Sequence, residues 1–121
     1  MFNVSLITRE CSGCVVIALH GELDIADAAD VAAALVAAAV GRTGIVVDMA
    51  GLTFIDCSGV RALAQARARA RHGGCALTLA APRRVVLRVI ALTGLIGISD
   101  IYASMGDAVD IADRARRVAV A

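Results

Sequence analysis

Apolar and polar positions along the chain alternate in two registers, and the switches between them mark the elements. Asn3–Arg9 reads as a short strand, Ser12-Gly13 as a two-residue turn, and Cys14–His20 as a second strand. Two such runs joined so tightly predict an antiparallel hairpin. Gly21-Glu-Leu-Asp24 breaks the strand, and Asp24 or Asp27 can cap the helix that follows. Across Asp27–Val40 the apolar residues Val31, Leu35, Val36 and Val40 fall on one helical face within an Ala-rich run, and Gly41 ends it. Ile45–Val47 is β-branched throughout, as in a strand buried on both faces of a parallel sheet. Gly51–Ile55 continues extended towards Asp56.

Ser58–Arg71 alternates Ala with Arg, yet both residues form helices readily and strands poorly, so a helix is predicted there, stopped by Gly73-Gly74. Cys75–Leu79 alternates as a strand. Pro82 suits the first turn of the next helix, which turns Val85, Val86, Val89, Ile90 and Leu92 inward, and Gly94 suits a left-handed cap. A brief strand at Ile98–Ile101 and an amphipathic helix over Met105–Val118 complete the chain. The order β-β-α-β-α-β-α-β-α predicts a single α/β domain over residues 1–121. It has a mixed, mostly parallel sheet, an N-terminal antiparallel hairpin and about four helices.

Composition sharpens this picture. With 60% hydrophobic residues and 19% charged, the chain has ample material for a core. The aromatic residues are only Phe2, Phe54 and Tyr102, so Ala, Val, Leu and Ile must build that core. Mean hydropathy is high at +0.80. The longest clean apolar run, Val31–Val40, still falls well short of the ~20 residues that a spanning helix needs. No basic-then-apolar leader pattern opens the sequence, so a cytoplasmic protein without membrane attachment is expected. The net charge of +1 conceals a polarised chain: residues 1–60 sum to −5 and residues 61–121 to +6, every basic residue being Arg.

Chemistry concentrates where the third strand meets the following helix, in Leu52-Thr-Phe-Ile-Asp-Cys-Ser-Gly59. First-turn N–H groups of a helix have no internal partners and carry partial positive charge. A hydroxyl or thiol at this corner is placed where a phosphate or a thiolate is stabilised, while Asp56 or Ser58 can equally serve as a plain cap. Together with Gly21-Glu-Leu-Asp24 after the second strand and Thr93-Gly-Leu95 after the third helix, this corner resembles the STAS domain. Within it, the resemblance is to the bacterial anti-sigma factor antagonists of the SpoIIAA and RsbV type, and it covers essentially the whole chain.

The resemblance implies a non-enzymatic protein without a cofactor that binds an anti-sigma factor, usually an ATPase-fold serine kinase, and so frees a sigma factor for transcription. It implies a phosphatase as a further partner, and no direct contact with DNA. The docking face it implies centres on Asp24, Thr53, Asp56, Cys57, Ser58 and Gly59. The family's phosphoacceptor is the first hydroxyl residue after the corner Asp, and here that position holds Cys57, with Ser58 as the alternative. A thiol is no substrate for ordinary serine phosphorylation. Regulation by thiol modification at Cys57, phosphorylation displaced to Ser58 and constitutive antagonism therefore stand side by side. The runner-up readings are a thiol-responsive STAS regulator whose partner is not an anti-sigma factor, and a Cys-dependent enzyme or small-ligand binder.

Cys11-Ser-Gly-Cys14 places two cysteines opposite each other across the hairpin turn. A parallel sheet would bring that turn and the His72–Cys75 loop to one end, where Cys11, Cys14, His72 and Cys75 could form a zinc set, though ordinary reduced cysteines are the plainer reading. A Cys57–Cys75 disulfide is excluded by the helix between them. His20 is expected to pack or cap. Arg61, Arg67, Arg69, Arg71, Arg83, Arg84 and Arg88 form an acid-free run read mostly as solvated outer faces, or as a surface for an acidic protein or for nucleic acid, the last weakened by few aromatics and no DNA-reading module.

Overall fold

In a computed structural model that describes residues 4–11 and 14–109, the hairpin forms first along the chain. Strands β1 (Val4–Cys11) and β2 (Cys14–Leu23) pair antiparallel, with Cys11 opposite Cys14 and Val4 opposite Gly21. Helix α1 (Ala28–Ala39) leads to the long β3 (Gly44–Ile55), and α2 (Cys57–His72) leads to β4 (Ala76–Ala80). Helix α3 (Arg84–Thr93) and a single 3₁₀ turn (Ile98–Asp100) precede the two-residue β5 (Ile101–Tyr102). A further helix begins at Met105, and its predicted continuation over 110–118 lies outside the described residues. Sheet order is β1-β2-β3-β4-β5, antiparallel at the first pair and parallel in the rest.

Each parallel step moves one strand over in the same direction. Right-handed crossovers therefore set α1, α2 and α3 side by side on one face of the sheet. The main core lies between that layer and the sheet: Ile45, Val47 and Met49 of β3 meet Leu35 of α1, Leu63 of α2 and Ile90 of α3, all of them fully buried. The opposite face of the strands (Cys14, Val16, Val46, Ala80) packs on Ala108, Met105 and Val109 of the last helix. Ala, Val, Leu and Ile carry this packing, as the shortage of aromatics requires. No helix among the described residues is long and apolar enough to cross a membrane.

Several expectations are corrected. Gly21-Glu-Leu does not break β2, which runs on to Leu23, buried and paired with Ile55. Ile45–Val47 and Gly51–Ile55 belong to one strand, because two irregularities in the β2–β3 ladder absorb the change of pattern between them. The first puts Met49 and Ala50 opposite Leu19 alone and the second inserts Thr53, so burial on β3 steps through Met49, Leu52 and Ile55 at intervals of three. The Asp48 carboxylate accepts from Ala50 N–H (2.9 Å) at the first irregularity.

Pro82 stands one residue before the N-cap Arg83 rather than inside α3. Val85 and Leu92 are 58% and 82% exposed, since α3 buries only the stripe through Val86 and Ile90. The strand expected at Ile98–Ile101 is a 3₁₀ turn closed by Asp100 N–H on Gly97 O (3.0 Å), and only Ile101 and Tyr102 reach β4. Gly94 does take the left-handed cap, at φ 66°.

Candidate functional site

The carboxyl ends of β2 and β3 are locked together where both chains leave the sheet. Asp56 N–H donates to Leu23 O (3.3 Å), bringing the Asp24 turn beside the start of α2. Asp56 is extended at φ −110° and ψ −176°, and its carboxylate accepts from Gly59 N–H (3.0 Å), the third residue of the helix. That is an N-cap, and it satisfies one of the first-turn donors. Cys57 and Ser58 thereby become the first two residues of α2, one residue earlier than the predicted start.

The residues singled out in the sequence do gather here, but their local tasks differ. Asp24 organises the turn into α1: its carboxylate accepts from Ala26 N–H (3.0 Å), and its carbonyl accepts from Ala28 N–H (2.9 Å). Asp27 stands at the N-cap position of α1 without a side-chain capping bond and is buried. The Thr53 hydroxyl donates to Gly21 O (3.0 Å), clipping the second irregularity of β3 to β2. Gly59 is a packing requirement, for a Cβ there would lie 2.8 Å from Leu23 O and 2.7 Å from Ile55 Cγ1. Thr93, in the third matching segment, donates to Ile90 O (2.8 Å) and accepts from Leu95 N–H, so it closes α3.

Two side chains are left to present chemistry outward. Cys57 is exposed at the helix start, and Ser58 is half-buried in a groove between α1 and α2. The groove encloses about 250 Å³, with Ile25 and Ala29 on one bank and Arg61 and Gln65 on the other. Ile25 is 78% exposed and Phe54 47% exposed, Ile25 lining the groove and Phe54 standing two residues before Asp56. Neither was singled out from the sequence. Phe54, as one of so few aromatics in the segment that carries the resemblance, held a usable signal; Ile25, lying between acidic residues, held little.

The remaining candidates sit elsewhere. Cys14 and Cys75 are buried at the other end of the parallel strands, where β2 and β4 begin, and His72 is exposed at the end of α2. They share an end of the sheet as expected, yet among the described residues no group of three or more His, Cys, Asp or Glu is placed to hold a metal ion. Burial pushes the Cys75 thiol up, against the opposing pull of the Arg42 charge and a backbone hydrogen bond from Ile45. His20 is exposed with its ring over Gly51, where any Cβ would collide with it. Arg67 pairs with Asp100 (3.4 Å) and Arg83 Nε donates to Ala50 O (2.8 Å), so part of the Arg run ties elements together rather than standing in solvent.

Solved structures share this fold. The unphosphorylated form of the anti-sigma factor antagonist SpoIIAA superimposes with a TM-score of 0.73 at 25% identity, covering 93% of this chain and 96% of that one. An anti-sigma factor antagonist from Mycobacterium paratuberculosis gives 0.75 at 21% identity, covering 90% and 93%. The fold also recurs inside the SLC26A9 protein, at 0.74 and 19% identity, where 93% of this chain matches 21% of the larger one. No curated protein matches the sequence. The model of the STAS domain matches residues 5–108, and the chain belongs to the STAS domain family.

Proposed function

We propose that this protein is an anti-sigma factor antagonist that acts in the cytoplasm by binding an anti-sigma factor of the ATPase-fold serine-kinase type, thereby releasing a sigma factor. The observation that carries this reading is the corner itself. The N-cap at Asp56 sets Cys57 and Ser58 at the start of α2, with Ile25 across the groove from Ser58 and Phe54 exposed two residues before the cap, on a fold that matches SpoIIAA over 93% of this chain. Exposed apolar side chains rimmed by polar groups are what a protein partner buries. Asp24, Thr53, Asp56 and Gly59 hold the platform, and the contact is made by Ile25, Phe54, Cys57 and Ser58. Capture of the host's small ATPase-fold proteins on the immobilised chain tests this. A charge introduced by Ser58→Asp should abolish capture, and undiminished capture would count against the reading.

The exposed thiol favours a second reading of regulation. A phosphate on Ser58 would bring about −1.5 to −2 charges next to Asp56, whereas oxidation or capping of Cys57 would add bulk at the same contact without a kinase. Intact-mass measurement after incubation with the cognate kinase and ATP separates them. A one-phosphate gain lost in Ser58→Ala supports phosphorylation and rules out regulation through the thiol alone.

A further inference from the structure

Away from the corner, the free side of β4 opens into a cleft of about 410 Å³ bounded by Arg67 and Arg71 of α2, Cys75, Leu77, Asp100 and Tyr102. Along a parallel strand, successive residues turn their N–H and C=O groups to opposite sides. Ala76 N–H donates to Thr43 O (2.9 Å) on the β3 side, and Ala81 N–H donates to Tyr102 O (2.8 Å) on the β5 side. The odd-numbered residues of β4 therefore face away from β3. Since β5 pairs only with Leu79 and Ala80, the N–H and C=O of Leu77 and the C=O of Cys75 face the cleft, with no strand beside them among the described residues. Leu77 is only 4% exposed. Unpaired backbone groups along a sheet edge are a template on which a further strand can pair.

The walls specify the partner's charge. No acidic residue stands between Asp56 and Asp100 in the sequence, and Arg42, at the same end of the sheet, is paired with Glu10 (3.2 Å), which leaves the basic charge of the cleft to Arg67 and Arg71. Asp100 is the one acid on the cleft and is engaged by Arg67, while Arg71 is exposed and forms no ion pair among the described residues. We propose that this cleft takes a short extended acidic segment of a partner protein. The segment adds as a strand beside Cys75–Leu77 through backbone hydrogen bonds, with its carboxylates on Arg71 and Arg67. Such strand addition draws affinity from the main chain and specificity from alternate side chains. The cleft lies across β4 from Ile45, which pairs with Leu77, whereas the corner follows Ile55 at the far end of β3, so the two surfaces are separate and neither reading depends on the other.

The probe is a fluorescein-labelled peptide of about eight residues alternating Glu with Val, followed by anisotropy at physiological salt, with hydrogen exchange read at the Leu77 amide. Binding with a Kd below about 1 mM is expected. It should weaken at least about tenfold in Arg71→Gln, tighten in Asp100→Asn as Arg67 is released, and stay unchanged in Arg88→Gln, an equal loss of charge on α3. Thermal melts confirm that the variants are folded, and the Leu77 amide should slow its exchange in the complex. The proposal is overturned by absence of binding, by equal loss in Arg88→Gln, or by equally tight binding of a peptide N-methylated at alternate amides. Displacement by equimolar inorganic phosphate also overturns it, by identifying a small-anion site instead.

Discussion

Replacing Gly59 with Ala separates intrinsic helix propensity from the packing that fixes the corner. Ala is the better helix former by about 1 kcal/mol, so on propensity alone the substitution stabilises. The added Cβ, however, would stand 2.8 Å from Leu23 O and 2.7 and 2.9 Å from the Ile55 and Leu23 side chains. A side chain can rotate away, but Leu23 O is backbone and already accepts from Asp56 N–H, so moving it opens the junction of β2 with the helix start. Because the nearest fixed obstacle is backbone, the cost should lie in the upper part of the range for overpacking, about 2–3 kcal/mol, leaving a net loss of about 1–2 kcal/mol. Urea unfolding followed by circular dichroism should show a midpoint lower by roughly 1 M, given a slope of about 1–3 kcal/mol/M. Tm should fall by roughly 4–8 °C. Gly73→Ala is the control, because its Cβ would meet atoms no nearer than 3.6 Å at a φ of −84°, and it should stay within about 0.5 kcal/mol of wild type. A neutral or stabilised Gly59→Ala would show that α2 is not wedged against the ends of β2 and β3, and the rigid platform would be refuted.

Three further outcomes follow from burial. Truncating Ile90 to Ala should cost about 2–5 kcal/mol, whereas Leu92→Gln on the same helix should stay within about 0.5 kcal/mol, as paired denaturation curves would show. The Cys75 thiol titrates above its ordinary 9.0 in the folded chain, so above that pH the unfolded chain ionises first. Stability should therefore fall with rising alkalinity from about pH 9 upward, and Cys75→Ala should lose that share of the pH dependence in unfolding titrations. Brief maleimide labelling of the native protein with peptide mapping should modify Cys57 ahead of Cys14 and Cys75, which should react only on unfolding.

What was legible in the sequence was set by periodicity and by breakers. The element order, the hairpin register at Cys11 and Cys14, and the left-handed cap at Gly94 all follow from local patterns that packing reinforces. The misses have tertiary causes. Strand β3 read as two pieces because its irregularities shift burial from every second residue to every third, which only the pairing with β2 makes sense of. Val85 and Leu92 are as apolar as Val86 and Ile90, so hydropathy cannot tell which stripe of α3 meets the sheet. At the corner, residue types singled out positions that the fold brings together, but not their division of labour. Asp24, Thr53, Asp56 and Gly59 proved to be occupied with the backbone, while Ile25 and Phe54 became visible only as exposed apolar side chains.

The most direct test is calorimetric titration of this chain into a purified ATPase-fold anti-sigma factor of the host, the partner proposed above, with and without bound sigma factor, comparing wild type with Ile25→Asp. Ile25 is 78% exposed, so the variant should fold as wild type does. Wild type should bind and displace the sigma factor, and Ile25→Asp should bind at least about tenfold more weakly, an ordinary loss for a central interface residue. Wild type that fails to bind, or an Ile25→Asp variant that binds and displaces sigma factor as well as wild type, would contradict the proposed function.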